Sequence, residues 1–263
     1  MLTIYKHEMK TNFKSLLIWC LSVSAMGFIC ILLFSSVKDS MVGMAESFAS
    51  MGAFSEAFGM TQLSIATLAG FYATEVGTIH SLGGAMFAAI ISAGMLSKEE
   101  DGHTSEFLFS LPISRLKVIM SKWCSIVTNI VIFNVVSVSV YMLAIYILGE
   151  EMPMREFFLY HIMQIIMHVE IAAICYAVSA FMKKNKLGIG LGLVLLLYAY
   201  DLMARVVPDL SDYKFISPFS YANAADILSA GEISVTGFVI GVVLLIIGMC
   251  IAHVVYKKRD LAT

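Results

Sequence analysis

Glu170 stands inside a long apolar run, with His161 and His168 ahead of it and Asn134 at similar depth in the preceding run. An acid in hydrocarbon costs roughly 2.5–3.5 kcal/mol on insertion scales, so it requires a partner or a task. Two uses fit these residues. One is an interhelical hydrogen bond, with Asn134 as the expected partner of Glu170. The other is a place on a transport or proton pathway. His161 and His168 are seven apart and share one helix face, whereas Glu170 lies two residues beyond His168 and points elsewhere. Two histidines without a clear third ligand make a poor metal site, and no metal is expected. No Gly-x-x-x-x-Gly-Lys-Ser/Thr phosphate loop occurs, so the chain is not expected to hydrolyse ATP and no catalytic residue is assigned. The run Gly188, Gly190, Gly192 follows no strand; its small residues suit close helix contact instead.

The elements that must position these residues are membrane helices. Of 263 residues, 59% are hydrophobic and only 14% charged, with a mean hydropathy of +0.87. A soluble domain carries about 25% charged residues. Each span of a bilayer core needs about 20 apolar residues. Six stretches meet that need, at about 16–37, 73–96, 121–148, 157–182, 187–207 and 233–256. The expected fold is therefore all-α, one polytopic transmembrane domain over 1–263. Lysine and arginine gather in alternate gaps: Lys6, Lys10 and Lys14; Lys98, Arg115, Lys117 and Lys122; Lys183, Lys184 and Lys186; Lys257, Lys258 and Arg259. Those thirteen face four on the other side, Lys38, Arg155, Arg205 and Lys214. The positive-inside bias then places both termini in the cytoplasm, in the cell membrane. Span 1 is too long for a signal-peptide core and lacks a small-residue cleavage site after it, so it is expected to stay as an anchor. The five cysteines lie within or at the ends of spans and read as packing residues.

Between the spans, residues 1–15 form an amphipathic arm. Leu2, Tyr5, Met9 and Phe13 recur at helical spacing beside a Lys6, Lys10, Lys14 stripe, which suits an interfacial helix. In the outer segment 38–72, Met41, Met44, Phe48, Met51 and Phe58 predict a second surface-lying helix. All four prolines (Pro112, Pro153, Pro208, Pro218) fall outside the spans. Segment 208–232 mixes Phe215, Phe219, Tyr221 and Leu228 with Asp212, Asn223 and Asp226, which predicts short helices re-entering the outer leaflet. Asp201 and Arg205 are four apart in span 5 and predict a local ion pair. Glu75 and His80 are expected at the outer end of span 2.

The cytoplasmic loop 97–120 is two helices broken by a proline. Thr104 can cap the first, Glu106 favours its dipole, and Phe107, Leu108 and Leu111 give it an apolar side. Pro112 ends it, and Ser114 can cap the next helix, which runs on into span 3. A short amphipathic helix continuous with a membrane helix is a lever, and its apolar side requires a partner groove. A helix lying on the membrane surface is the other use of the same pattern. The pair Glu99-Glu100 would suit an intramembrane protease of the Glu-Glu-x-x-x-Arg type, but Thr104 stands where the arginine belongs.

In this loop the chain resembles the membrane subunits of type-2 ABC exporters, the ABC-2 permease family. The matching residues are Glu99, Glu100, Gly102, Thr104, Glu106, Leu108, Pro112, Ser114, Arg115 and Lys122. Lys6-His7-Glu8, Gly70-Phe71 with Glu75, Ser217-Pro218-Phe219-x-Tyr221 and Lys258-Arg259-Asp260-Leu261 add to it. His103 departs from the pattern, because many relatives place Gly and Thr adjacent. The resemblance implies a permease exporting a small molecule, peptide or lipid. It implies a dimer with a second permease subunit, homo- or heterodimeric, and a separate ABC ATPase that carries ATP and magnesium. This chain itself would hold no cofactor and bind no nucleic acid, with membrane lipids as its surroundings. Helix 104–111 would dock on the ATPase, with Arg115 pairing an acid there. A secondary transporter, or a membrane anchor that binds an ATPase without transport, is the alternative; absence of an internal repeat and of proline in the spans disfavours the former.

Overall fold

A computed structural model describes residues 2–110, 112–184 and 186–259, apart from the side chains of Glu106, Phe107 and Phe109. The described residues are helical throughout their ordered elements. In chain order these are α1 (Leu2–Ala49), α2 (Ala53–Ala57), α3 (Leu68–Phe71), a π-helical turn (Tyr72–Val76) and α4 (Gly77–Ser92). Then come α5 (Lys98–Asp101), α6 (Ser105–Ser110), α7 (Arg115–Leu148), α8 (Met154–Phe181) and α9 (Leu187–Val206). After α9 follow α10 (Pro208–Ser211), two 3-10 turns (Lys214–Ile216, Pro218–Ser220), α11 (Ala224–Ala230) and α12 (Val235–Lys258).

Among the described residues, five helices are long and apolar enough to cross a membrane: α1, α7, α8, α9 and α12. Outward-facing Leu21, Leu143, Leu196, Val239 and Ile246 are exposed, so the bundle presents an apolar rim suited to hydrocarbon. The predicted second span is present as helix from Leu68 to Ser92, but its π turn divides it and leaves α4 at 16 residues. The chain direction alternates. Tyr5, Ser24 and Lys38 of α1 meet Thr128, Ser137 and Glu150 in the same order, so α1 and the α7 region run parallel. Gly77, Ser81 and Leu96 likewise meet Tyr160, His168 and Ser179, so α4 and α8 run parallel. Helix α9 runs opposite to α4, with Gly190 on Ala93 and Asp201 sharing a cavity with Thr78.

Two expectations change, the separate arm and the separate outer helix. The arm 1–15 is not a separate helix: α1 continues from Leu2 through span 1 to Ala49, taking in much of the predicted outer helix as well. No proline interrupts that stretch, so nothing stops helix propagation. At 1.5 Å per residue α1 is about 72 Å long, more than twice the hydrocarbon thickness. The helix capped by Ser114 runs on into span 3 as expected: α7 starts at Arg115, and the Ser114 hydroxyl accepts from Lys117 N–H at 3.4 Å. The segment 208–232 does form short helices, with Pro218, Phe219, Tyr221 and Leu228 buried.

Helix α4 sits centrally, touching α1, α7, α8 and α9, while α12 packs on α8. Of the three glycines of the 188–192 run, Gly190 is the one in close contact: a Cβ there would approach Ala93 Cβ at 2.8 Å, whereas positions 188 and 192 have open space.

Candidate functional site

Two polar assemblies are built into this bundle. The first closes one end of it. Lys122, from the first turns of α7, is fully buried. Its ammonium donates to Glu8 of α1 at 3.0 Å, to the Met95 carbonyl at 2.9 Å and to Glu99 of α5. Glu8 also pairs with Lys98. Burial and the adjacent Lys122 push the Lys98 ammonium below its ordinary value, against the pull of Glu8 and Glu99. Next to this group Glu100 pairs with Arg259, whose guanidinium also donates to the Ala180 carbonyl at the end of α8 at 2.8 Å. Arg115 donates to the carbonyls of Tyr256, Lys257 and Arg259 at 3.0, 3.0 and 2.7 Å. It therefore satisfies the acceptors that the end of α12 leaves open.

These contacts give Glu99, Glu100 and Arg115 partners inside the chain. Arg115 is held on the end of α12. Gly102 ends α5, and His103 then turns the chain in the left-handed region at φ 53°. Thr104 precedes α6; its carbonyl accepts from Leu108 N–H at 3.1 Å and its hydroxyl donates to Glu99 O at 3.4 Å. Leu108 is half-buried on this six-residue helix, and Pro112 is exposed beyond it. Leu111, and the side chains of Glu106 and Phe107, lie outside the described residues, as do Asp260 and Leu261. Glu8 and Arg259, the far partners of this network, were legible only as parts of the Lys6-His7-Glu8 and Lys258-Arg259 matches.

The second assembly is a layer of rings deep in the bundle. Asn134 of α7 donates to Ile130 O at 2.8 Å and to His168 Nδ1 at 3.2 Å. Its Oδ1 is then left to accept from His80 Nε2 at 3.0 Å. His168 Nε2 completes the chain by donating to Ser81 O at 3.2 Å. The His80 and His161 rings lie 4.8 Å apart, and the Tyr72 hydroxyl is 2.8 Å from His161 Nε2. The layer thus ties α4, α7 and α8 through His80 and His168, each of which donates from Nε2. Among the described residues, no three His, Cys, Asp or Glu side chains are grouped to hold a metal.

Glu170 does not join this layer, and Asn134 does not bond it. Residue 170 is about 200° around α8 from residue 168. It faces α12, where it accepts from the Tyr221 hydroxyl at 2.8 Å beside Gly241. His80, expected near an outer end, is fully buried, because helix begins at Leu68 and carries it deeper.

The layer depends on Gly84, where a Cβ would collide with the His168 ring. Gly84→Ala is expected to destabilise the protein by about 1–3 kcal/mol through overpacking. Gly192→Ala, with open space around it, should instead be neutral or stabilise by up to about 1 kcal/mol. Unfolding of the two purified variants in detergent, compared with wild type, checks both; equal stabilities contradict the packing argument.

Over residues 2–261 the chain matches the family model described as ABC-2 family transporter protein. No curated protein matches it.

Proposed function

The chain belongs to the ABC-2 family of transporter proteins, and we propose that it is the membrane permease of an exporter driven by a separate ATPase. In this reading the helix Leu68–Ser92 is a sixth crossing beside the five long ones, and both termini are cytoplasmic. The thirteen positive charges then lie with the ion network at one end of the bundle, as the positive-inside bias requires. A second permease subunit completes the pathway, and ATP with magnesium resides in the ATPase.

The observation that carries the reading is mechanical. The loop presents α6 between two anchored points, the Lys98–Glu8 and Glu100–Arg259 pairs before it and the Ser114 cap after it. From that cap α7 runs unbroken for 34 residues. Force on α6 therefore passes into a membrane helix, and through Lys122 and Glu8 into α1 as well. Glu99, Glu100, Gly102, Thr104, Pro112, Ser114 and Arg115 shape and stiffen this base, while Leu108, with Phe107 and Leu111, supplies the apolar contact. On ATP binding the ATPases close, and α7 tilts relative to the histidine layer. Asn134, His161 and His168 hold that layer; Glu170 acts as a hinge contact between α8 and the re-entrant segment.

The test is ATP hydrolysis by the reconstituted complex, assayed with candidate peptides and lipophilic drugs. The ATPase should turn over faster with the permease than without it, and a transported compound should raise the rate again. Hydrolysis indifferent to the permease contradicts the proposal. Transport that persists with an ATPase unable to hydrolyse ATP would favour a secondary transporter instead.

A further inference from the structure

At the end of the bundle opposite the ion network, a cavity of about 40 Å³ opens between α4, α8, α9 and the segment before α12. A water needs about 10–15 Å³ by the same measure, so the space suits a few waters or one small charged group. Asp201 lines it, together with Thr78, Ser81, Tyr198 and the small Ala73 and Ala222. Each of those polar side chains offers an oxygen; Tyr160 and Asn223 line the space too, but the Tyr160 hydroxyl donates to Gly77 O at 3.0 Å and Asn223 Oδ1 already accepts from the Ala225 and Asp226 N–H groups. The Asp201 side chain is only 4% exposed. Its Oδ2 accepts from Arg205 Nε at 3.0 Å, but its Oδ1 is buried and has no hydrogen-bond partner. A buried carboxylate oxygen left unmatched is costly, and native proteins rarely tolerate one without a water or an ion against it.

The charges around it differ in burial. Arg205 also reaches Asp226, at 3.2 Å, so one guanidinium serves two carboxylates. The other charge in range is Lys214, which is exposed on the 3-10 turn. An oxygen-lined space beside two carboxylates that share one buried guanidinium, with the second cation out at the surface, favours a cation, and its size excludes a bulky one.

We propose that this cavity is a binding site for a small monovalent cationic group, either an alkali ion or the ammonium end of a primary amine, held by Asp201 Oδ1. The site lies apart from the coupling loop, so the inference does not rest on the ATPase-driven reading and is testable on the permease alone.

Thermal unfolding of the purified full chain would be followed in sodium, potassium, methylammonium or N-methyl-D-glucamine chloride at one ionic strength. A small cation should raise the midpoint by several degrees over N-methyl-D-glucamine. A shift with sodium or potassium alone identifies an ion site; one with methylammonium identifies an amine site. Asp201→Asn should abolish the shift. Because that change also weakens the Arg205 pair, Ala222→Val is the second variant: it fills the cavity, leaves the pair intact, and should abolish the shift too. Equal midpoints in all four salts, or a shift that survives Ala222→Val, overturns the proposal.

Discussion

Replacing Lys122 by methionine is expected to destabilise the protein by about 3–5 kcal/mol, the range for a buried ion pair that loses one partner. Lys122 is fully buried and its ammonium is shared by Glu8, Glu99 and the Met95 carbonyl. Methionine fills a similar volume, so the loss is electrostatic rather than a cavity. Glu8 and Glu99 would then face Lys98 as the remaining cation of their group. Adding Glu8→Gln to Lys122→Met should recover part of the loss, because one uncompensated charge goes with it. Lys38→Met is the control. Its pair with Glu150 is 39% and 32% exposed, and its loss should cost about 0–1 kcal/mol. Denaturant unfolding in detergent checks all three, and a Lys122 variant as stable as the Lys38 variant would show that the network contributes little.

The second large effect concerns Leu108. A glutamate there places a charge in the apolar side of α6, where the ATPase is proposed to dock. Charged groups left unpaired in an interface core lose several kcal/mol of binding, so Leu108→Glu should weaken the ATPase complex at least about tenfold. The permease itself should fold normally, since Leu108 lies outside the packed core. Co-purification of the ATPase with the variant, at wild-type expression, provides the check. Undiminished recovery would remove α6 as the docking helix. A combined reading of the two variants separates the roles: Lys122→Met damages the base of the lever, Leu108→Glu only its tip.

How much of this was legible in the sequence follows from range. Helices α8, α9 and α12 lie within a few residues of the predicted spans, because an apolar run bounded by Pro153, the lysine turn or Ser234 reports its own length. Helix α1 was misdivided for the opposite reason. Its arm, span and outer segment differ in polarity, yet none contains a proline, so local chemistry marked boundaries that the backbone ignores. The Asp201–Arg205 pair was readable, being one helix turn apart; Asp226 and the cavity were not, since they arrive through the fold. The partner of Glu170 was missed because hydropathy gives each helix its depth but not its rotation about its own axis. His80 was misplaced by a few residues of helix start. The ion network escaped altogether, as Glu8, Glu99, Lys122 and Arg259 come from four separate segments, though several had already drawn notice as parts of a family pattern.

The central claim is that α6 is gripped from the cytoplasm by a separate motor. Crosslinking tests it most directly, with Leu108→Cys in a chain whose five native cysteines have been replaced. The account predicts that Cys at this position crosslinks to the ATPase subunit in the membrane, and that an impermeant thiol reagent added outside intact cells leaves it unlabelled. Labelling from outside, or full reactivity toward a cytoplasmic reagent while the ATPase is bound, would contradict it.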